Sequence, residues 1–379
     1  MTQDHQHTLL SAERIVDADG EAGEGWLLIE GAAIVGRGDG RPSSKLTSIA
    51  ETRHVDTLVP GFVDMHVHGA SGVDFSDVGV DPQPAIDHHH STGSTTIIAS
   101  LATGVTGAML ERIRELRPFV ASGALSGLHL EGPWLSRTRR GAHAAELLRS
   151  PTVREVGLFL DAAEGSIRMV TLAPELPGAL EAIHLLAAHG VVVAIGHTDA
   201  DAETTERAID AGASVITHLY NGMPSLHHRN PGVVGVALGR TDVAVELIAD
   251  GTHLDDRVVD ATFSAAAGRI VLISDGMSAT GLGDGTYGIA GSPVVVEDGT
   301  ARLADGTSLA GSVRTLGEIV RRQSARGMAW DLLVHAAATL PAKLLGLPAP
   351  RLDRGAPANL VASANGAIST MKDGRWLDS

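Results

Sequence analysis

Short apolar, β-branched runs alternate with longer amphipathic stretches along most of the chain, from Leu58 onward. This alternation is typical of βαβ units, and the nearly continuous apolar character of the short runs is typical of parallel strands buried on both faces. Eight such runs favour an α/β fold built as a closed (β/α)8 TIM-type barrel over an open doubly wound sheet. The predicted strands are Leu58–His66, Ser94–Ser100, Ser126–Glu131, Arg168–Ala173, Val191–His197, Ser214–Leu219, Ala244–Asp250 and Arg269–Asp275.

The stretches between these strands carry helix start and stop signals. The helix predicted over Pro177–His189 has a proline at its start and is followed by Gly190, a residue that tolerates the left-handed conformation at a helix end. Asp199 is the predicted N-cap of the next helix, which runs to Ala211. These signals support the prediction that the segments between the strands are helices.

Both ends of the chain have a different pattern, with short strand-like runs separated by glycine-rich turns. Neither end is long enough to bury a core alone. We therefore expect residues 1–57 and 348–379 to form one small β-sandwich domain beside a barrel of residues 58–347. The predicted terminal strands are Trp26–Ile29, Ala32–Val35, Leu360–Ala364 and Ala367–Met371.

A third irregular segment, Gly281–Gly311, follows the eighth predicted strand and is rich in Gly and Asp. It predicts a β excursion or lid at the end of the barrel.

Composition and charge narrow the possible chemistry. The 379 residues include 18 His and no Cys, so disulfides, cysteine-ligated metals and cysteine nucleophiles are excluded. The formal net charge of −16 disfavours nucleic-acid and anionic membrane partners, which select basic surfaces. No apolar run approaches the roughly 20 residues of a membrane helix. The segment Met1–Leu10 lacks the basic and apolar pattern of a secretory leader, so we expect a cytoplasmic protein.

His66 and His68 lie at the end of the first predicted strand. Side chains two residues apart share one face of a strand, so both imidazoles point the same way. Two histidines at the barrel end where active sites are built are typical of a metal site. The alternative is a pair of buried histidines that bind no metal.

Four other predicted strands also end in residues that can ligate a metal or move a proton. A single buried His or Asp is commonly structural, but five strand ends in register are hard to explain without a metal. These residues are Glu131 on the third strand, His197 on the fifth, His218 on the sixth and Asp275 on the eighth.

Lysine is rare in this chain, with only Lys45, Lys343 and Lys372, and none of them falls in a predicted strand. A site bridged by a carboxylated lysine is therefore excluded. Glu131 is then the strand-end carboxylate placed to bridge two metals.

The order His-x-His, Glu, His, His, Asp resembles the amidohydrolase superfamily, and the surrounding strings resemble the N-acetylglucosamine-6-phosphate deacetylase family. The resemblance extends over essentially the whole barrel, and the termini resemble the family's small β domain. The matching strings are Pro60–Asp74, Leu128–Pro133, Gly141–His143, Gly196–Thr198, Thr217–Gly235, Asp250–His253, Ser274–Met277 and Leu309–Ser312.

This resemblance implies an enzyme that hydrolyses the acetamide of N-acetyl-D-glucosamine 6-phosphate to D-glucosamine 6-phosphate and acetate, in amino-sugar catabolism and cell-wall recycling. A divalent metal held by Glu131, His197 and His218 would activate the water, and Asp275 would serve as general base and then as general acid. His66 and His68 would hold a second ion with Glu131 as the bridge. Since some members of the family lack that pair, one or two ions are expected. Zn²⁺ is the expected ion, and Fe²⁺, Co²⁺ or Mn²⁺ suit the same ligands.

The resemblance also implies the substrate contacts. Arg229 and His253 would bind the phosphate, and Leu309, Ala310 and Gly311 would close over the sugar. In this family the loop that carries the arginine can reach a neighbouring subunit's site, which implies a homodimer. The further implied substrate-binding residues are Ala142, His143, Asn221, Gly222 and Asp250.

Two other functions stay open at this point. The same site could deacetylate N-acetylgalactosamine 6-phosphate or another N-acyl amine, and a catalytically inactive binding protein on the same fold is the third possibility. The run His88-His89-His90 is predicted to be surface histidine on a helix before the second strand.

Overall fold

The structure is a computed structural model that describes residues 7–377. The chain divides into two compact units. One contains the chain up to Asp64, residues Asp87–Thr96 and the chain from Leu316, and the other contains Met65–Ile86 and Ile97–Thr315. The predicted absence of a secretory leader falls partly on residues 1–6, which lie outside the described residues. The domain limits predicted at residues 57 and 348 stay a prediction.

The strands range from two to eleven residues in length. In chain order they are β1 (His7–Asp17), β2 (Gly20–Ala22), β3 (Gly25–Glu30), β4 (Ala33–Asp39), β5 (Glu51–Pro60), β6 (Phe62–Val67), β7 (Gly69–Ala70), β8 (Val73–Asp74), β9 (Ser94–Ala102), β10 (Gly127–Glu131), β11 (Ile167–Leu172), β12 (Val192–Ile195), β13 (Ala213–Ile216), β14 (Ala244–Leu247), β15 (Ile270–Leu272), β16 (Gly285–Ile289), β17 (Ser292–Glu297), β18 (Thr300–Leu303), β19 (Leu360–Ala364), β20 (Ala367–Lys372) and β21 (Arg375–Leu377).

Most of the helices connect successive parallel strands. They are α1 (Ser44–Thr47), α2 (Gln83–Ser91), α3 (Thr106–Ala121), α4 (Val153–Ala163), α5 (Ala179–Ala188), α6 (Ala202–Asp210), α7 (Gly232–Gly239), α8 (Asp256–Ala265), α9 (Leu316–Ala325), α10 (Trp330–Val334) and α11 (Leu340–Leu344). A π-helical segment, His335–Thr339, joins the last two, and short 3₁₀ turns cover Arg137–Arg139 and Ala145–Leu147. Within residues 7–377, no helix has the length and apolar character needed to cross a membrane.

Eight strands form the barrel sheet in the order β15-β14-β13-β12-β11-β10-β9-β6. At the carboxyl ends, the Asp275 amide donates to the His66 carbonyl at 2.9 Å and the His68 amide donates to the Gly276 carbonyl at 2.7 Å, so the last strand meets the first. The predicted (β/α)8 barrel is confirmed. One boundary is wrong: Leu58–Pro60 belong to β5 of the terminal sheet, and the barrel strand begins after Gly61.

The two ends of the chain share a second sheet in the order β21-β20-β19-β5-β1-β3-β4, with β2 paired to β1. β19 runs antiparallel to β5 and β5 runs parallel to β1, so the C-terminal strands are joined directly to the N-terminal ones. A buried cluster that includes Leu27, Val55 and Leu360 packs this unit. The predicted β unit formed by both termini is confirmed.

The segment after the eighth barrel strand is a three-stranded antiparallel meander, β16-β17-β18. Its apolar residues, including Val294 and Val296, pack with Met277 and Ala310 in a small core of their own. The predicted β excursion over Gly281–Gly311 is confirmed.

The predicted N-cap of α6 is wrong. Asp201, not Asp199, accepts a hydrogen bond from the Thr204 amide at 2.8 Å. Asp199 instead accepts from Arg139 Nε at 2.8 Å. Both aspartates precede the same apolar pattern, so the local sequence does not distinguish them.

The prediction that His88-His89-His90 is surface histidine is also wrong. The run lies on α2, but His89 and His90 are buried and only His88 is partly exposed. Burial, with Lys372 as a smaller cause, lowers the pKa of His90 to about 3, so this side chain is neutral. Three consecutive helical residues span about 200° of the helix surface, so part of the run falls on the inward face.

Candidate active site

The five candidate ligands lie at the carboxyl ends of four barrel strands. His66 is in β6 and His68 follows it, Glu131 is the last residue of β10, and His197 and His218 each lie two residues beyond β12 and β13. All five are buried. Parallel strands end at the same rim of a barrel, so residues far apart in the sequence meet there.

Three of the site residues have a left-handed backbone. The φ angles are +46° at His197, +28° at His218 and +49° at Asp275. Residues other than glycine adopt this region at a cost in free energy, and such strain is concentrated at functional sites. All three residues line one cavity.

Glu131 is at the centre of the imidazoles. Its Oε1 lies 3.2 Å from Nε2 of both His197 and His218, and 3.4 Å from Nε2 of His66. Its Oε2 lies 3.1 Å from Nε2 of His68. Oε1 therefore contacts three of the histidines and Oε2 contacts the fourth, so one carboxylate touches both the His66–His68 pair and the His197–His218 pair, as a bridging ligand would.

The ring nitrogens also approach one another. Nε2 of His197 lies 3.0 Å from Nε2 of His218, and Nε2 of His66 lies 3.2 Å from Nε2 of His68. Ligands of a tetrahedral ion bound at about 2.0–2.1 Å are about 3.3–3.4 Å apart. The donor atoms therefore have the spacing that a divalent ion requires, and the residues fit a metal.

Asp275 lies beside the His66 and His68 pair. Its Oδ1 is 3.5 Å from Nε2 of each of these residues. Together with them it forms one group able to hold an ion, while Glu131 and His197 belong to a second such group with His143. Among residues 7–377, those that line the cavity include no lysine or arginine to balance the carboxylates.

His143 lies as close to Glu131 as the candidate metal ligands do. Its Nδ1 accepts a hydrogen bond from the Thr103 amide at 3.3 Å, so in the neutral ring the hydrogen is on Nε2. Burial lowers the pKa of His143 to about 4, more than Glu131 raises it, so the ring is neutral. A nitrogen that carries a hydrogen donates, here to Glu131 Oε2 at 3.2 Å. This geometry favours His218 over His143 as the third ligand beside Glu131 and His197.

Hydrogen bonds behind the site orient two of the ligands. His197 Nδ1 donates to the Arg139 carbonyl at 2.8 Å, and His66 Nδ1 donates to Glu246 Oε2 at 3.1 Å. Each bond places the hydrogen on Nδ1 and leaves the Nε2 lone pair directed into the site.

The electrostatics of the site favour a bound cation. Burial favours the neutral form of His66, but Glu131, Glu246 and Asp275 together raise its pKa well above the ordinary value. Burial likewise opposes charge on His197, and Glu131 raises its pKa. Burial would raise the pKa of Glu131, but His66 and His197 lower it well below its usual range. The ionised carboxylates make these imidazoles strong ligands for a positive ion.

Comparison with known proteins identifies the family. The model of the amidohydrolase family matches residues 57–378. The chain belongs to the amidohydrolase family.

Individual relatives of this amidohydrolase are similar over most of their length. It is 37% identical to the N-acetylgalactosamine-6-phosphate deacetylase of Escherichia coli O157:H7 over 324 residues, which is 83% of this chain and 85% of the relative. It is 36% identical to the N-acetylglucosamine-6-phosphate deacetylase of Vibrio furnissii over 285 residues, 72% of this chain and 71% of the relative.

A solved structure is similar over nearly the whole chain. It is the N-acetyl-D-glucosamine-6-phosphate deacetylase of Mycobacterium smegmatis, in an aspartate-to-alanine variant bound to N-acetyl-D-glucosamine 6-phosphate. The TM-score is 0.94 at 39% identity, covering 99% of this chain and 100% of that chain.

The amidohydrolase barrel has a cavity at its mouth that contains most of the predicted substrate contacts. Ala142, His143, Asn221, Gly222, His253, Leu309 and Gly311 line it, together with His68, Glu131, His197, His218 and Asp275. Ala310 is buried in the meander, where its amide donates to the Ala301 carbonyl at 3.1 Å. His66 lies behind the cavity wall.

Arg229 does not reach the cavity of its own chain. It lies on an exposed loop, where its Nη1 is 2.6 Å from Nε2 of His228. Its assignment to the phosphate stays a prediction.

Asp250 is not in the cavity lining but holds His253, which is. The two oxygens of its carboxylate accept from the His253 amide at 2.9 Å and from His253 Nδ1 at 2.9 Å. Ser312 Oγ donates to Asp250 as well, at 3.0 Å. Burial opposes charge on both residues. The hydrogen bond and charge attraction between them nevertheless lower the pKa of Asp250 to about 2 and raise the pKa of His253.

Two glycines flank the His197 ring. A Cβ on Gly141 would lie 3.0 Å from His197 Cε1, and a Cβ on Gly222 would lie 3.0 Å from His197 Nδ1. Both glycines have positive φ angles, +55° and +61°. Glycine is therefore required here for close approach as well as for backbone conformation.

Sequence reasoning missed several residues of this amidohydrolase site. Ile289, Ala290 and Ser308 of the meander line the cavity, but nothing in their residue types indicates a contact. Glu246 was detectable, because it is a single charged residue within the apolar run Ala244–Leu247.

Proposed function

We propose that this amidohydrolase hydrolyses the acetamide of N-acetyl-D-glucosamine 6-phosphate, producing D-glucosamine 6-phosphate and acetate. The observation that carries this proposal is the likeness, over 99% of the chain, to a Mycobacterium smegmatis deacetylase bound to that compound. The converging imidazoles and carboxylates around Glu131 supply the chemistry that an amide hydrolase of this family needs.

Glu131, His197 and His218 would hold one divalent ion, and His66 and His68 would hold a second with Glu131 as the bridge. Zn²⁺ is the proposed ion, with Fe²⁺, Co²⁺ and Mn²⁺ as alternatives that suit nitrogen and carboxylate ligands. A divalent cation bound by these residues supplies Lewis acidity, which lowers the pKa of water and polarises a carbonyl.

Asp275 would act twice in one turnover. As general base it takes the proton of the attacking water, and as general acid it returns that proton to the amide nitrogen as the C–N bond breaks. Its backbone is held for this task, because the Asp275 amide donates to the His66 carbonyl and its φ is +49°.

His143 would donate its Nε2 hydrogen to the carbonyl oxygen of the acetamide. The hydrogen bond from Thr103 to Nδ1 keeps the hydrogen on Nε2, which faces the cavity side of Glu131. A donor directed at the oxygen where negative charge develops stabilises the transition state.

Ala142, Asn221, Gly222, Leu309, Ala310 and Gly311 would contact the sugar, and His253 and Arg229 would bind the phosphate. His253 is oriented by Asp250, which also raises the pKa of His253 and so favours its cationic form. Local cations are needed because a chain of net charge −16 repels a phosphate dianion at long range.

Since Arg229 is exposed on its loop in a single chain, we propose that the enzyme is a homodimer in which this side chain reaches the neighbouring site. We also propose that it is cytoplasmic and acts in amino-sugar catabolism and cell-wall recycling.

The galacto epimer is the second candidate substrate. The Escherichia coli relative at 37% identity is an N-acetylgalactosamine-6-phosphate deacetylase, so family membership does not separate the epimers. Another N-acyl amine is less well supported. An inactive binding protein is disfavoured because the full set of ligand residues and Asp275 is retained.

The test is an assay for free amine on the 6-phosphates of N-acetylglucosamine and N-acetylgalactosamine, with the unphosphorylated sugars as controls. We expect the largest kcat/KM on N-acetylglucosamine 6-phosphate and little activity without the phosphate. Faster turnover of the galacto epimer would transfer the assignment to the second candidate. Absence of amine from both phosphates would contradict the proposal.

A further inference from the structure

Glu246 is a fully buried carboxylate inside the barrel, in the middle of β14. It does not line the substrate cavity. Its Oε2 lies 3.1 Å from Nδ1 of His66 and 3.3 Å from the backbone amide of His218. Oε2 of Glu246 therefore accepts a hydrogen bond from one residue of each proposed set of metal ligands, His66 in one set and His218 in the other.

The hydrogen bond to His66 determines which ring nitrogen can bind a cation. With its hydrogen on Nδ1 directed at Glu246, His66 presents the Nε2 lone pair toward His68 Nε2, 3.2 Å away, and toward Glu131 Oε1, 3.4 Å away. A carboxylate behind a ligating imidazole fixes the ring orientation and increases the basicity of the nitrogen that binds the metal.

The surroundings of Glu246 make a buried carboxylate energetically costly at this position. Its Oε1 has no hydrogen-bond partner among the described residues. Removing a carboxylate from water is costly, and a buried oxygen without a hydrogen-bond partner adds to that cost. Packing of the barrel interior alone therefore does not explain a glutamate at this position.

We propose that Glu246 is a positioning residue for the metal centre, which holds His66 in its ligating orientation and so sets the affinity for the ion at His66 and His68. The inference rests on the metal assignment made under the proposed function and not on the identity of the substrate. The His218 amide contact links the same carboxylate to the other ligand set, but through the backbone, so the ion at His197 and His218 depends on it less.

The experiment compares the wild type with Glu246→Gln and Glu246→Leu. Glutamine keeps an acceptor for His66 but removes the charge, while leucine removes both at similar volume. Glu155→Gln is the control, because Glu155 is a partly buried carboxylate that bonds Arg149 and Trp134 and not the site histidines. Metal-free protein is titrated with Zn²⁺ against a chromophoric chelator, and the thermal midpoint of the metal-free protein is measured.

We expect two ions per wild-type chain. One of the two ions, assigned to His66 and His68, should bind about 10-fold less tightly in Glu246→Gln and about 100-fold less tightly in Glu246→Leu, the range found for residues behind metal ligands. The other ion should change less, and Glu155→Gln should bind both ions as the wild type does. The metal-free midpoint of Glu246→Leu should fall, because the His66 ring and the His218 amide lose their acceptor, whereas Glu246→Gln keeps an acceptor and should stay near the wild-type midpoint.

Three results would overturn the inference: a wild type that binds one ion, a leucine variant that keeps both affinities, or a glutamine variant that weakens both ions equally and lowers the metal-free midpoint. The last is the signature of a purely structural role. Because these readouts involve no sugar, inactivity toward the proposed substrate would contradict the proposed function without affecting them.

Discussion

The carboxylate of Asp250 lies 2.9 Å from Nδ1 of His253, and this contact orients a histidine that faces the substrate cavity. Asp250 itself is enclosed by its own chain, since it also accepts from the Thr252 amide at 2.8 Å and from Ser312. The pair therefore places a stabilised positive charge at the mouth of an otherwise acidic site.

Asp250→Asn should weaken binding of the phosphorylated substrate in a pH-dependent way. Without the carboxylate, the pKa of His253 is no longer raised and burial lowers it. Above about pH 6.5, the ordinary pKa of histidine, the variant ring is neutral where the wild-type ring is still protonated. KM should therefore rise at pH 7.5 and rise less as the pH falls. A KM increase of the same size from pH 5.5 to 8 would refute the charge role.

Asp275→Asn should lower kcat about 10²- to 10⁴-fold, because asparagine cannot take and return the proton. The ion at Glu131, His197 and His218 should be retained, since these three residues keep their contacts. Steady-state kinetics and elemental analysis of the same preparation check both parts. Persistence of wild-type kcat would exclude Asp275 as the general base.

His143 and His197 have equal distances to Glu131 but different predicted roles. His143→Gln should keep the full metal content but have a lower kcat. The Thr103 amide occupies Nδ1, so the ring acts as a hydrogen-bond donor through Nε2 and not as a metal ligand. His197→Gln should lose an ion as well. If His143→Gln loses an ion and His197→Gln does not, the ligand assignment is reversed.

Gly222→Ala should weaken metal binding, because its Cβ would lie 3.0 Å from the His197 ring. Gly268→Ala is a matched control, since Gly268 has a φ of +72° but nothing within 4 Å of its Cβ. The control should lose about 1 kcal/mol of stability from backbone strain and keep its metal. Equal metal loss in both variants, measured by elemental analysis, would show that strain alone is responsible.

Arg229→Ala should raise KM for the sugar phosphate by about 10-fold or more, because the phosphate loses a charged hydrogen-bond donor. Activity on the unphosphorylated sugar should not change. Mixing Arg229→Ala with Asp275→Asn chains tests whether the arginine acts across a dimer. If it does, the mixed dimer contains one site with both residues intact and low-KM activity returns, whereas an arginine that serves its own chain leaves no intact site and restores nothing. Wild-type KM in Arg229→Ala would remove the residue from the phosphate site.

Much of the fold follows from the sequence because parallel strands buried on both faces leave a strong apolar signal. The runs around Ser94–Ser100 and Ala244–Asp250 both became barrel strands. Strand boundaries leave a weaker signal: Leu58 continues the apolar run of β6 but pairs with Ala362 of the terminal sheet. That pairing depends on a strand 300 residues away, which no local pattern contains.

The grouping of the site residues can be predicted from the sequence because parallel barrel strands all end at one rim. His66, Glu131 and His218 lie at strand ends, so the barrel brings them together as expected. The tautomer of His143 depends on Thr103, and the orientation of His66 depends on Glu246. Both are contacts between different strands and loops, and residue type alone does not indicate them.

We propose that this barrel deacetylates a sugar phosphate with a metal held at Glu131. The most direct measurement is acetate release from N-acetylglucosamine 6-phosphate by metal-free enzyme to which zero, one or two equivalents of Zn²⁺ are added. We predict no acetate from the metal-free enzyme and rapid release after metal is restored, with Asp275→Asn inactive throughout. Acetate release by the metal-free enzyme at the restored rate, or none at any metal content, would contradict the account.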